Sequence, residues 1–195
     1  MKGQIRQKQN SVSKKALTYW LFGLLIAALI GFSYCILGNF LVKLTGIPDI
    51  SLFGNDPVTL MEEDSLALLI ILEVLIVPVV EELLFRKLFY GKLRKKMHFV
   101  WAALIVSAAF AVLHLNLAQA AYAFVFSLIL CEIAERTANW YFCVGAHIAA
   151  NLGALLASRI LAFNTLLLLS PAATVVVSAL LLVGGLLLLI RFENS

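Results

Sequence analysis

Three hydrophobic stretches of the sequence contain polar side chains of the kinds that catalyse hydrolysis. The first supplies two acids and an arginine, the second a histidine, and the third a histidine and an asparagine: Glu81, Glu82, Arg86, His114, His147 and Asn151. An ionisable side chain at the centre of a bilayer costs about 2.5–3.5 kcal/mol on insertion scales, so such residues indicate a functional site by default. These side chains have a lower free energy when they face each other than when they face lipid. We therefore expect one polar site inside the membrane.

Helical spacing assigns partners within each stretch. Glu82 and Arg86 are four residues apart, so they share a helix face and are expected to form an ion pair. Glu81 points about 100° away from Glu82 and remains available for another partner. The same four-residue spacing places two further pairs each on one face, namely Phe110 with His114 and His147 with Asn151.

Two kinds of chemistry follow from these residue types. Burial raises the pKa of a carboxyl group, so that Glu81 can act as a general base towards water, while imidazole and amide groups hold that water or donate to an oxyanion. Alternatively, His114, His147 and Glu81 could bind a divalent metal such as zinc, whose bound water is the nucleophile. The residues alone leave both routes open.

The three motifs resemble those of a known family. Glu81-Glu82 with Arg86 matches E-E-x-x-x-R, Phe110 with His114 matches F-x-x-x-H, and His147 with Asn151 matches H-x-x-x-N. In this order on successive hydrophobic segments, they are similar to the motifs of the CAAX protease and bacteriocin-processing family of intramembrane endopeptidases. The resemblance covers residues 65 to 155, and the stretch 135–140 is similar to the usual lead-in to the third motif.

This resemblance implies roles for individual residues. It implies that Glu81 activates water, and that His114, His147 and Asn151 position the water and stabilise the oxyanion. Glu82, Arg86 and Phe110 would support them. The family includes prenyl-protein proteases and small bacterial proteins linked to bacteriocin immunity or processing, and the short chain and loops resemble the bacterial group. Family members have been described both as metalloproteases and as metal-free, and this sequence lacks H-E-x-x-H.

The elements that must position these residues are membrane helices. The 195 residues are 63% hydrophobic and 13% charged, and the mean hydropathy is +1.00, which is far from the range of soluble domains. We predict an all-α, polytopic, single membrane domain over residues 1–195, with a basic segment at 1–15. The predicted spans are about six: 16–42, 66–90, 98–117, 119–134, 139–160 and 170–190.

The second span must extend past the two acids for the site to form. A span that ended at Val80 would leave Glu81 at one membrane face and His114 near the other. Extending it through Tyr90 moves Glu81 towards mid-depth, within reach of His147. Pro78 removes a backbone donor in the turn before Glu81, which predicts a kink and room for a polar cavity.

Charge around the spans predicts the topology. The N-terminal segment and residues 86–96 are basic, whereas the connection 43–64 is acidic and contains turn residues. The positive-inside rule therefore predicts cytoplasmic N- and C-termini in a multi-pass protein of the cell membrane, of bacterial plasma membrane type. The basic residues at membrane edges indicate contact with lipid rather than nucleic acid. The three cysteines have no paired spacing.

Our hypothesis is an intramembrane endopeptidase that cleaves a membrane-associated or prenylated peptide, or a bacteriocin. The alternative is a non-catalytic immunity or regulatory protein that keeps the motifs for structure. A proton relay or transporter using Glu73, Glu81 and the histidines is a third possibility, although no repeated halves are visible. Each motif also has a structural interpretation: an interfacial ion pair, packing histidines, or an interhelical hydrogen bond from Asn151. The sequence leaves the oligomeric state open.

Overall fold

A computed structural model describes residues 2–45, 66–159 and 170–193 of the chain. The regular elements within these ranges are six helices. They are α1 (Lys2–Thr45), α2 (66–94), α3 (Phe99–Val112), α4 (Leu117–Thr137), α5 (Trp140–Arg159) and α6 (Pro171–Glu193). The predicted acidic connection 43–64 lies almost wholly outside the described residues.

The helices confirm a polytopic, all-α membrane protein. Within the described part of the chain, four stretches are long and apolar enough to cross a membrane: Lys15–Gly38, Leu117–Thr137, Trp140–Ala157 and Pro171–Phe192. Phe99–Val112 is a shorter apolar helix. The second helix carries the two acids and the arginine in its middle. A total of six spans and the cytoplasmic location of both termini remain predictions.

The third helix is shorter than the predicted span 98–117. It ends at Val112, and the backbone turns through Leu115, whose φ is 54°. The side chain of Asn116 then caps α4, because its Oδ1 accepts a hydrogen bond of 3.0 Å from the backbone N–H of Gln119. Four of the six residues from 112 to 117 are apolar and none is glycine or proline, which is why the sequence predicted a continuous span here. His114 consequently lies in the turn between α3 and α4.

The second helix alternates between α and π geometry. Its segments are Leu66–Leu69 (α), Ile70–Ile76 (π), Val77–Glu82 (α), Leu83–Tyr90 (π) and Gly91–Arg94 (α). The helix continues through Tyr90 to Arg94, and the depth of its acids in the membrane remains a prediction. Pro78 lies in the first turn of the central α segment, where a missing N–H is tolerated. Glu81 and Glu82 end that segment, between the two π segments.

Close packing of α1 against α5 fixes the helix that carries His147. A Cβ added at Gly31 of α1 would overlap the backbone carbonyl of Ala146, the residue before His147. Only a glycine therefore permits this approach of the two helices. The core around this contact includes Ile30, Leu130 and Phe142, which are all fully buried.

Polar contacts tie the far end of α2 to α4 and to the connection before α3. The Arg94 guanidinium forms two hydrogen bonds to the Glu135 carboxylate, from Nε at 2.8 Å and from Nη2 at 2.5 Å, and the Tyr90 hydroxyl donates to the same carboxylate at 2.7 Å. A third donor of Arg94 binds the Met97 carbonyl at 2.8 Å. This cluster fixes the position of α2 along its axis, and hence the depth of its acids.

Candidate active site

Glu82 forms the centre of a buried polar network. Its carboxylate is fully buried, and its Oε1 accepts hydrogen bonds from Arg86 Nη1 at 3.0 Å and from His147 Nδ1 at 2.8 Å. The ion pair with Arg86 is the one that the helical spacing predicts. A carboxylate away from water needs such partners to remain charged. Glu82 therefore joins α2 to α5 at the site.

Arg86 extends this network to α4. Its Nη2 donates to the hydroxyl of Ser127 at 2.7 Å and to the Ser127 carbonyl at 3.3 Å. Its guanidinium carbon lies 4.7 Å from the centre of the Phe110 ring, a cation–π contact. Sequence reasoning missed Ser127, because a single serine in an apolar helix has no spacing pattern that distinguishes it. The arginine is thereby held by α2, α3 and α4 together.

His147 lies between the two consecutive acids of α2. A carboxylate only accepts hydrogen bonds, so Nδ1 of His147 carries the proton that binds Glu82. The other ring nitrogen, Nε2, lies 3.6 Å from Oε2 of Glu81. The edge-on rings of Phe110 and Phe126, with centroids 6.0 and 5.4 Å away, fix the plane of the imidazole. Glu82 thus orients His147 so that Nε2 points towards Glu81.

Glu81 differs from Glu82 in its access to other molecules. Its side chain is 28% exposed, whereas that of Glu82 is fully buried. The imidazoles of His147 and His114 and the charged groups of Glu82 and Arg86 lie near enough to interact with its carboxylate electrostatically. The distance of 3.6 Å to His147 is longer than a hydrogen bond. Glu81 is therefore the acid of this pair that a water molecule or a substrate can reach.

His114 approaches the same carboxylate from the turn after α3. Its Nδ1 donates to the backbone carbonyl of Phe110 at 2.9 Å, because a carbonyl cannot donate. Its ring lies 4.8 Å from the Phe110 ring. In the neutral ring this leaves Nε2 as an acceptor. Phe110 thus contacts Arg86, His114 and His147, which fits the supporting part predicted for it.

Asn151 is placed differently from the other motif residues. It follows His147 by one turn on α5, but its Nδ2 donates to the backbone carbonyl of Glu73 at 2.7 Å. That carbonyl lies in the first π segment of α2, two turns before Glu81. The role of Asn151 in binding an oxyanion remains a prediction.

The structure brings six of the seven predicted site residues into one cluster, with Asn151 at its edge. The six are Glu81, Glu82, Arg86, Phe110, His114 and His147. Across the described ranges, no three His, Cys, Asp or Glu side chains are grouped as a metal ion would require. The six residues offer a reachable carboxylate, two imidazoles bound at Nδ1 and a buried counter-charge, a combination that suits general-base hydrolysis.

Comparisons with known proteins find similarity in the part of the chain that carries these residues. The family model described as "Type II CAAX prenyl endopeptidase Rce1-like" matches residues 63–153, the part that contains every motif residue. The chain is also 29% identical, over 87 residues, to the "Putative membrane peptidase YdiL" of Bacillus subtilis (strain 168). That alignment covers 45% of this chain and 36% of the relative, so it spans about a third of the relative's length. No solved structure matches the chain.

Proposed function

We propose that the chain, whose residues 63–153 match the type II CAAX prenyl endopeptidase model, is an intramembrane endopeptidase that hydrolyses a peptide bond with water activated by Glu81. One observation carries the proposal. His147 is held by Glu82 at Nδ1, with its Nε2 directed at the partly exposed carboxylate of Glu81. Once the Glu81 carboxylate has taken a proton from water, it can donate that proton to the unprotonated Nε2 of His147 beside it.

The first step is attack by water on the scissile carbonyl. A water molecule bound to the Glu81 carboxylate gives up a proton to it, and the oxygen forms a bond to the carbonyl carbon. The negative charge that develops on the carbonyl oxygen needs nearby donors. His114 and His147 are each bound at Nδ1 by a fixed acceptor, so each donates to that oxygen through Nε2 only after Nε2 has itself taken up a proton.

The second step is release of the amine. The proton on Glu81 passes to the leaving nitrogen as the carbon–nitrogen bond breaks, which gives a carboxylic acid and an amine and restores the ionised carboxylate. Glu82 and Arg86 keep their charges throughout. Their ion pair is fully buried, so it holds His147 in one orientation without offering a second reactive acid.

A membrane-associated peptide is the class of substrate that this position suits. Around the Glu81 position, α2 exposes Val79, Val80 and Leu84 at more than 40% each. Such a surface accommodates apolar groups. The prenyl endopeptidase description of the matching family supports a prenylated peptide, and a bacteriocin or another apolar peptide would fit the same surface. We place the protein in the bacterial plasma membrane with both termini in the cytoplasm.

A reconstituted cleavage assay tests this function. Purified protein in lipid vesicles would be offered prenylated and unprenylated forms of the same peptides, and products identified by mass spectrometry. Cleavage that disappears in a Glu81→Gln variant supports the endopeptidase. An immunity protein that only binds its partner predicts instead that the biological phenotype survives this substitution.

A further inference from the structure

A hydrogen bond between α5 and α2 occurs outside the buried network. The amide nitrogen of Asn151 donates to the backbone carbonyl of Glu73 at 2.7 Å, across 78 positions of the chain. A helix carbonyl has two lone pairs and accepts a side chain of another helix most readily where its own hydrogen-bonding partner in the helix is missing. The carbonyl of Glu73 is available for this bond because of the residue five positions later in α2.

Pro78 explains the available carbonyl. Glu73 lies in the π segment Ile70–Ile76, where the carbonyl of residue i pairs with the N–H of residue i+5. The fifth residue after Glu73 is Pro78, which has no N–H. In a membrane a backbone carbonyl without a partner is costly, because no water is available to bind it. The amide of Asn151 supplies the missing donor.

The resulting contact and the Glu82–His147 hydrogen bond join α5 to α2 on either side of Glu81. Along α5, His147 comes first and Asn151 follows one turn later, while along α2 their partners occur in the reverse order, Glu82 and then Glu73. The two helices are therefore antiparallel. One contact lies before Glu81 and the other after it, so together they fix both the rotation and the axial position of α2 against α5.

We propose that Asn151 is a positioning residue, whose amide replaces the backbone donor that Pro78 lacks and so holds Glu81 in register with His147. Its importance for cleavage rests on the proposed function, whereas the contact itself does not. Pro78 and Asn151 therefore form a matched pair. The proline frees a carbonyl and the asparagine binds it, so the effect of losing one depends on whether the other is present.

A double-mutant cycle on stability tests the pair without any assay of activity. The proteins compared are the natural chain, Asn151→Ala, Pro78→Ala and the double variant, each unfolded by heat in the same detergent. We expect Asn151→Ala to lower the unfolding midpoint when proline is present. In the Pro78→Ala background the loss should be less than half as large, because the N–H of an alanine at this position takes the Glu73 carbonyl.

A second asparagine provides the control. Asn139 caps α5 by accepting from the N–H of Tyr141 at 3.1 Å, so Asn139→Ala should lower the midpoint equally in both backgrounds. Equal losses from Asn151→Ala in both backgrounds would overturn the proposal.

Cleavage kinetics test the consequence for the reaction. We expect Asn151→Ala to lower kcat by on the order of tenfold with little change in KM, since misplaced reacting groups slow chemistry more than binding. Adding Pro78→Ala should recover most of this loss. If the stability cycle shows coupling but the double variant remains as slow as Asn151→Ala, positioning is not what Asn151 does for catalysis. If no peptide is cleaved by the natural chain, the proposed function fails while the stability cycle still decides the contact.

Discussion

The carboxylate of Glu82 accepts a hydrogen bond of 2.8 Å from Nδ1 of His147, although the two residues are 65 positions apart in the chain. This contact joins α2 to α5 and determines which ring nitrogen of His147 faces Glu81. The two consecutive acids therefore have different roles. Glu82 is buried and paired, and Glu81 is reachable and faces an oriented imidazole.

Removing the Glu82 carboxylate should destabilise the protein as well as inactivate it. Glu82→Ala leaves the fully buried Arg86 without its counter-charge, and breaking a buried pair from one side costs roughly 3–5 kcal/mol. We expect a lower unfolding midpoint in detergent together with loss of cleavage. Glu82→Gln, which keeps an acceptor for His147, should be milder in both respects. Equal stability of the alanine variant and the natural protein would contradict the network.

Ser127 should contribute to stability through Arg86. Ser127→Ala removes the hydroxyl that accepts from Nη2 at 2.7 Å, and a hydrogen bond to a charged group contributes roughly 1.5–3 kcal/mol. The measurement is again the unfolding midpoint. Ser33→Ala is the matched control, because Ser33 is also buried but its hydroxyl binds only a carbonyl of its own helix, that of Leu29. Similar small losses in the two variants would show that Arg86 does not depend on Ser127.

A side chain at Gly31 should disturb the site from the opposite side of α5. Gly31→Ala places a methyl group against the carbonyl of Ala146, so α1 and α5 must separate and His147 must move with α5. We expect lower stability and slower cleavage. Gly184→Ala, where an added Cβ meets nothing within 4 Å, should leave activity unchanged and raise stability by at most about 1 kcal/mol. Full activity in Gly31→Ala would mean that this close approach does not position His147.

A chelator should leave cleavage intact. The proposed steps use only the carboxylate of Glu81, the imidazoles and water, so incubation with a strong chelator should not change the rate. Elemental analysis of the treated protein controls for an ion that the chelator fails to remove. Loss of activity that returns on adding zinc would favour the metal route through His114, His147 and Glu81.

Helical spacing predicted the contacts within one helix, and tertiary packing determined the others. The pair Glu82 and Arg86 follows from their separation of four residues, and the need to bring acids and imidazoles to one depth predicted that α2 passes Tyr90. The partners Ser127 and the Glu73 carbonyl could not be predicted. They depend on how apolar helices rotate against each other, and a membrane helix that is apolar on all sides carries no periodicity to indicate its buried face.

The turn at residues 113–116 was not predicted either. Glycine and proline, the strongest signs of a turn, are absent from this segment, and Leu115 adopts a positive φ although it is not a glycine. Asn116, which caps α4, was the one residue that could have indicated the turn. The sequence therefore placed His114 inside a span, whereas the chain presents it from a turn. That turn brings His114 close enough to Glu81 to interact with it electrostatically.

The rate of peptide cleavage by purified Glu81→Gln protein in lipid vesicles tests the central claim most directly. Glutamine keeps the size of the side chain but cannot accept a proton from water, so the rate should fall by roughly 10²–10⁴-fold, with an unchanged unfolding midpoint. Glu132→Gln is the control, because Glu132 pairs with Arg136 on α4 and should be replaceable without loss of activity. Cleavage by Glu81→Gln at the rate of the natural protein would contradict the account.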